Sequence, residues 1–147
     1  MSVKIRVKSI HENAIIPNFK HEEDACADVC SISNYTISPW KREIIQTGLV
    51  FEIPKGYEIQ VRPRSGMALH HGITILNSPG TIDAGYRGEL KVILFNTSEE
   101  PYKIKPGDSI AQLSIKKLEE VLFEEVPKDH DLTESTRGEG GFGSTGK

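Results

Sequence analysis

Pro54-Lys55-Gly56-Tyr57-Glu58-Ile59-Gln60-Val61 sets a turn former directly ahead of a strict alternation of apolar and polar residues. Successive side chains of a strand point to opposite faces, so Tyr57, Ile59 and Val61 belong on one buried face and Glu58 and Gln60 on the other. The same period of two runs through Val3, Ile5 and Val7, separated by Lys4, Arg6 and Lys8, and through Leu90, Val92 and Leu94. Further turn formers follow at Ser78-Pro79-Gly80, Ala84-Gly85 and Lys105-Pro106-Gly107-Asp108. Short strands punctuated in this way predict an all-β chain of the sandwich, jelly-roll or barrel type. Two stretches stand apart. Ser65 to His71 predicts one short helix with Ser65 as its N-cap. Leu118, Val121, Leu122 and Val126 fall at helical spacing, although a strand is the expectation there.

The chain has 147 residues, enough for one domain with a core that needs no staples. Its formal charge of -3 argues against a nucleic-acid partner, which wants a basic face. No apolar run approaches the ~18 residues that span a bilayer, so no membrane partner is expected. The N-terminal MSVKIRVKSIHEN lacks a signal-peptide core, and a cytoplasmic location with Cys26 and Cys30 as free thiols is the expectation. The composition shifts near the end. From Leu118 to Glu134 seven acidic residues face one lysine, and glycine dominates from Arg137 to Lys147. Glycine loses the most backbone entropy on ordering, so residues 131–147 read as a flexible arm on a core of residues 1–130.

Two phosphate-binding patterns occur in that arm and neither is expected to act as one. Gly138, Gly140 and Gly143 match G-x-G-x-x-G, and Gly141, Gly146 and Lys147 match the start of a P-loop. Both need a helix downstream to aim its N-terminus at phosphate, and no helix-forming sequence follows them. Cys26 and Cys30 form one C-x₃-C without a second ligand pair, which does not make a zinc site.

Four other segments carry residue types that turns and strands do not require. Ala25-Cys26-Ala27-Asp28-Val29 puts one carboxylate into an apolar strand. Arg62-Pro63-Arg64-Ser65-Gly66 ends a strand with two guanidinium groups and a hydroxyl. Asn77 to Glu89 reads as a hairpin bearing Asp83, an amide and the Tyr86 ring. Asp108 to Leu113 places the Gln112 carboxamide in a strand. Guanidinium, hydroxyl and amide donors suit oxyanions, and guanidinium matches phosphate through parallel hydrogen bonds. Carboxylates suit Mg²⁺ or the orientation of water. Phe142 among small residues is free to stack on a base. Together they describe a site for a magnesium-bound nucleotide.

In order and separation these segments closely resemble the five motifs of the trimeric dUTPases. The most specific are Gly80-Thr81-Ile82-Asp83-Ala84-Gly85-Tyr86-Arg87-Gly88-Glu89 and Arg137-Gly138-Glu139-Gly140-Gly141-Phe142-Gly143-Ser144-Thr145-Gly146. The pattern departs at Cys26, where the family has glycine, and at Ser109, where arginine is common. The resemblance implies a jelly-roll-like β-sandwich of the dUTPase β-clip type, with one short helix and a Gly-rich C-terminal arm. It implies a homotrimer whose sites are shared between subunits, and hydrolysis of dUTP to dUMP and pyrophosphate with Mg²⁺ as cofactor. By the same resemblance Asp83 is the general base. Asn77, Gly80, Ile82 and Tyr86 hold the nucleoside, and Arg64, Ser65, Gly66 and Gln112 the phosphates. Arg137, Phe142, Gly143, Ser144 and Thr145 close over the substrate, and Asp28 reaches the metal through water. The related dCTP deaminases are a rival on the same fold, but lack the Phe-containing arm.

Overall fold

Val29, Ile59, Val92 and Leu113, each inside an alternating run, are buried together in the computed structural model, which describes residues 2–143 and Gly146. The described strands are β1 (Arg6–Ser9), β2 (Ala27–Cys30), β3 (Tyr35–Ile37), β4 (Arg42–Glu52), β5 (Tyr57–Arg62), β6 (Ile73–Ile75), β7 (Gly80–Ile82), β8 (Glu89–Asn96), β9 (Tyr102–Ile104) and β10 (Ser109–Lys117). One helix, α1 (Ser65–His71), lies between β5 and β6. One four-stranded sheet has the order β1-β4-β8-β6, the other β2-β10-β5-β7, and β3 pairs with β9. Every pairing between these strands is antiparallel. Ile45, Leu49, Leu90 and Leu94 of the first sheet share one core with Val29, Ile59, Val61 and Leu113 of the second. The alternation predicts the all-β class and the resemblance the sandwich, and both hold; burying such side chains contributes roughly 1.5–3 kcal/mol each.

Polar groups fix the register where packing alone would not. The buried Asn96 amide donates to the carbonyls of Ile37 (2.9 Å) and Glu100 (2.7 Å), which ties the end of β8 to the β3–β9 ribbon. In β4 the register breaks between Gln46 and Val50. Gly48 sits inside that break at φ +66°, and a Cβ there would lie 2.8 Å from the His11 Cβ. Thr47 Oγ1 donates to the Leu90 carbonyl at 2.6 Å and holds the bulge against β8.

Four local expectations are corrected. The first strand starts at Arg6, leaving Val3 and Ile5 outside it, because only Arg6 to Ser9 have partners on β4. The N-cap of α1 is Arg64, with extended φ −95° and ψ 130°, and no side chain caps it. Ser65 is already the first helical residue, and the Arg64 carbonyl accepts the first helical bond, from the Ala68 N–H at 3.0 Å. The segment from Asn77 to Glu89 is not a hairpin: β7 pairs with β5 and β8 with β4, so the turn between them crosses from one sheet to the other. Residues 118–126 form neither strand nor helix. Their last backbone tie among the described residues is Leu118 N–H to the Gly56 carbonyl at 2.8 Å, and without further ladder bonds the strand of β10 ends at Lys117.

Candidate active site

The second sheet gathers the first group of candidate residues. β10 lies between β2 and β5, and Gln112 stands opposite Asp28 on one side and Arg62 on the other. Directly paired residues of antiparallel strands project to the same face. Ala27, Val29, Val61 and Leu113 point into the core, so Asp28, Gln112 and Arg62 share the outer face. After Arg62 the chain turns at Pro63, whose carbonyl accepts from Gln112 Nε2 at 2.8 Å. Arg64 folds back over the same face. Its Nη1 donates to the Ser109 carbonyl (3.0 Å) and its Nη2 lies 3.6 Å from Asp28 Oδ2. Ser65 and Gly66 then open α1 with backbone N–H groups that the helix itself leaves unpaired.

Asp28 is the electrostatic centre of this group. Lys20, on the loop before β2, brings its Nζ to 2.8 Å from Asp28 Oδ2. That oxygen is buried, yet accepts no well-aligned hydrogen bond among the described residues. Burial raises the carboxyl pKa, but Lys20, Arg64 and the Ser109 hydroxyl outweigh it and hold the group below its ordinary 3.8. Asp28 is therefore an anion at any neutral pH.

The second group lies along β7 and the turn that follows. β7 is the outermost strand of its sheet, so one row of its backbone N–H and C=O groups is free of strand partners. Gly80 is buried against β5, where a Cβ would meet Val61 Cβ at 3.3 Å. Beyond Ile82 the Tyr86 N–H donates to the Asp83 carbonyl (3.1 Å), leaving the Asp83 side chain exposed on a closed turn. Arg87 Nη1 braces the turn through the carbonyls of Ala84 (2.7 Å) and Tyr86 (3.0 Å). Tyr86 donates its hydroxyl to the Glu89 carbonyl at 3.1 Å and lays its ring across Gly88. Glu89 is held in turn, its Oε1 accepting from the Gly48 N–H at 2.9 Å. Asp83, Tyr86, Ile82 and Thr81 line a hollow of about 170 Å³ with Glu89 and Lys91. Drug-sized sites run to roughly 300–1,000 Å³, so this hollow takes part of a nucleotide rather than the whole.

Asp28, Arg64 and Gln112 thus come together, as do Gly80, Ile82, Asp83 and Tyr86. Among the described residues no side-chain hydrogen bond or ion pair joins the two groups, although the Ile59–Ile82 pairing keeps both on one sheet. Asn77 is exposed ahead of β7. The arm stands apart from both: Arg137 Nε donates to the Gly140 carbonyl at 2.7 Å, and Phe142 and Gly143 are exposed. Ser144 and Thr145 lie outside the described residues. Sequence reasoning missed Lys20 and quoted Arg62 and Glu89 within their segments without giving them a role. Lys20 sits eight positions before Asp28 on a loop, and no spacing rule marks it.

A divalent cation finds a limited fit here. No three His, Cys, Asp or Glu side chains cluster among the described residues. Asp28 offers one carboxylate whose Oδ2 faces the Lys20 ammonium at 2.8 Å. One such oxygen suits a hydrated ion whose other ligands come with a substrate.

The family model for dUTPase matches residues 12–146. The deoxyuridine 5'-triphosphate nucleotidohydrolase of Clostridium kluyveri is 51% identical over 144 residues, covering 98% of this chain and 99% of that protein. That of Nautilia profundicola is 48% identical over 145 residues, covering 99% and 100%. Among solved structures, the dUTPase of Staphylococcus bacteriophage 80alpha with dUpNHpp superposes with a TM-score of 0.84 at 28% identity, over 98% of this chain and 99% of that one. A mutant dUTPase of phage phi11 of S. aureus, described with a structural Mg(II) ion, gives 0.79 at 26% identity, over 86% and 98%. A family model that covers residues 12–146 and relatives about half identical over nearly the whole chain lead to one assignment: the chain belongs to the dUTPase family of nucleotide hydrolases.

Proposed function

We propose that this chain hydrolyses dUTP to dUMP and pyrophosphate, with Asp83 as general base. The observation that carries the reading is the free edge of β7 running straight into the Asp83–Tyr86 turn. A pyrimidine laid along that edge can pair with main-chain groups between Gly80 and Ile82, assisted by the Asn77 amide. Uracil and cytosine present opposite donors and acceptors at position 4, so the wrong base leaves backbone groups unpaired at about 1–3 kcal/mol each. The Tyr86 ring, pinned through its hydroxyl, forms the wall against the sugar and leaves no volume for a ribose 2′-hydroxyl.

Phosphate oxygens are bound by Arg64, by the Ser65 hydroxyl and the backbone N–H groups of Ser65 and Gly66, and by Gln112. Arg64 retains free N–H groups beside its bond to Ser109, and Gln112 holds the Pro63 carbonyl that sets the loop. Asp28 would hold Mg²⁺ through bound water, and that ion supplies charge neutralisation on the triphosphate. Asp83 takes a proton from a water as the water oxygen bonds to the α-phosphorus. The bond from that phosphorus to the bridging oxygen breaks, and its electrons leave with pyrophosphate. Arg137 clamps the terminal phosphate, Phe142 stacks on the base at roughly 1–3 kcal/mol, and Gly143, Ser144 and Thr145 complete the cover.

The absence, among the described residues, of any side-chain hydrogen bond or ion pair between the two groups supports a homotrimer whose sites combine residues of different subunits. Residues 131–147 act as the closing arm of a 1–130 core, and the enzyme works in the cytoplasm, keeping uracil out of DNA and supplying dUMP for thymidylate synthesis. Incubation with dUTP or dCTP plus Mg²⁺ tests the reading. Pyrophosphate from dUTP is expected; ammonia from dCTP identifies a deaminase, and neither product identifies a binding module.

A further inference from the structure

We propose that Lys20 is a resident cation of the phosphate site, which occupies Asp28 in the free protein and competes there with a hydrated divalent ion. The inference rests on the nucleotide-hydrolase reading above and assigns a role to a residue that reading leaves unused. Three observations carry it. Lys20 Nζ lies 2.8 Å from Asp28 Oδ2, closer than the Arg64 guanidinium at 3.6 Å, so the ammonium is the nearer counter-charge. The contact is built by the backbone: Asn18 bridges to Asp28, and the His21 N–H donates to Asp24 Oδ2 at 2.9 Å, so the loop enters and leaves Lys20 in a defined path. The two ends of the pair differ in exposure. Asp28 is 17% exposed and Lys20 58%, so the carboxylate is fixed while the lysine stem can swing away.

The arrangement has a signature that a packing role would not produce. An ammonium on Asp28 opposes a divalent cation at the same oxygen, and its positive charge favours a triphosphate that arrives without metal. Removing it should shift the two equilibria in opposite directions. Binding of dUpNHpp is measured by calorimetry for the parent and Lys20→Met, across a magnesium titration and again in EDTA. Lys20→Met is expected to lower the half-saturating Mg²⁺ concentration about two- to fivefold, the weight of an exposed ion pair, and to weaken binding in EDTA. Lys20→Arg should keep the parent values. In an Asp28→Asn background the magnesium shift from Lys20→Met should vanish. An unchanged or raised magnesium requirement in Lys20→Met overturns the proposal, as does a shift that persists in full without Asp28. Failure of the parent to bind dUpNHpp at all would instead overturn the nucleotide reading.

Discussion

Replacing Gly88 by alanine separates the position of the Tyr86 ring from its chemistry. A methyl group at residue 88 would overlap the Tyr86 ring and hydroxyl, so the ring must leave the place it holds across the turn. The move breaks the 3.1 Å hydrogen bond to the Glu89 carbonyl, a net loss of about 0.5–1.5 kcal/mol. Gly88 is absent from the glycines with left-handed φ, so alanine meets no added backbone strain, and Tyr86 is itself 46% exposed. Folding stability should therefore fall by only about 1 kcal/mol, a few degrees in Tm for a domain of this size. Selectivity should change far more. One group admitted to or excluded from a pocket is worth roughly 10–200-fold, so the ratio of kcat/KM for dUTP over UTP should fall by about that factor. Tyr86→Ala should lower the ratio to the same extent, and the double variant no further. A Gly88→Ala protein that melts normally and keeps the parent ratio would refute the argument that this ring is the wall against ribose.

Asp83→Asn should bind dUpNHpp like the parent while kcat falls about 10²–10⁴-fold, measured as pyrophosphate release; near-normal turnover removes Asp83 as the base. Truncation before Arg137 should change folding stability by no more than about 0.5 kcal/mol, since the described residues beyond Lys117 form no strand or helix, while activity is largely lost. Gly48→Ala combines a left-handed φ with a Cβ placed 2.8 Å from the His11 Cβ, and should cost about 2–4 kcal/mol in urea denaturation. Tyr102 has its pKa raised above 10.0, first by burial and then by Asp108. The protonated form is favoured in the fold, so its contribution is complete below that pH and is lost as pH rises through the folded value. Tyr102→Phe should abolish that part of the alkaline loss of stability, seen as a flatter Tm profile at high pH.

Alternation was enough to mark the β class and two of the longer strands. Ile59 and Val61, and Leu90, Val92 and Leu94, are buried as a period of two requires, because side-chain direction in a strand is a local property of the backbone. The residue types at Arg64 and Gln112, donors suited to oxyanions, and at Asp28 and Asp83, carboxylates suited to a cation or to water, were legible for the same reason: charge and hydrogen-bonding capacity belong to the side chain wherever it lies. Partnership belongs to the whole fold. That β7 and β8 enter different sheets, and that among the described residues 118–126 join no strand, follow from which strand edge is nearby. Lys20 meeting Asp28 is the same kind of fact. An ion pair across a loop depends on distances in space, and no periodicity along the chain encodes them.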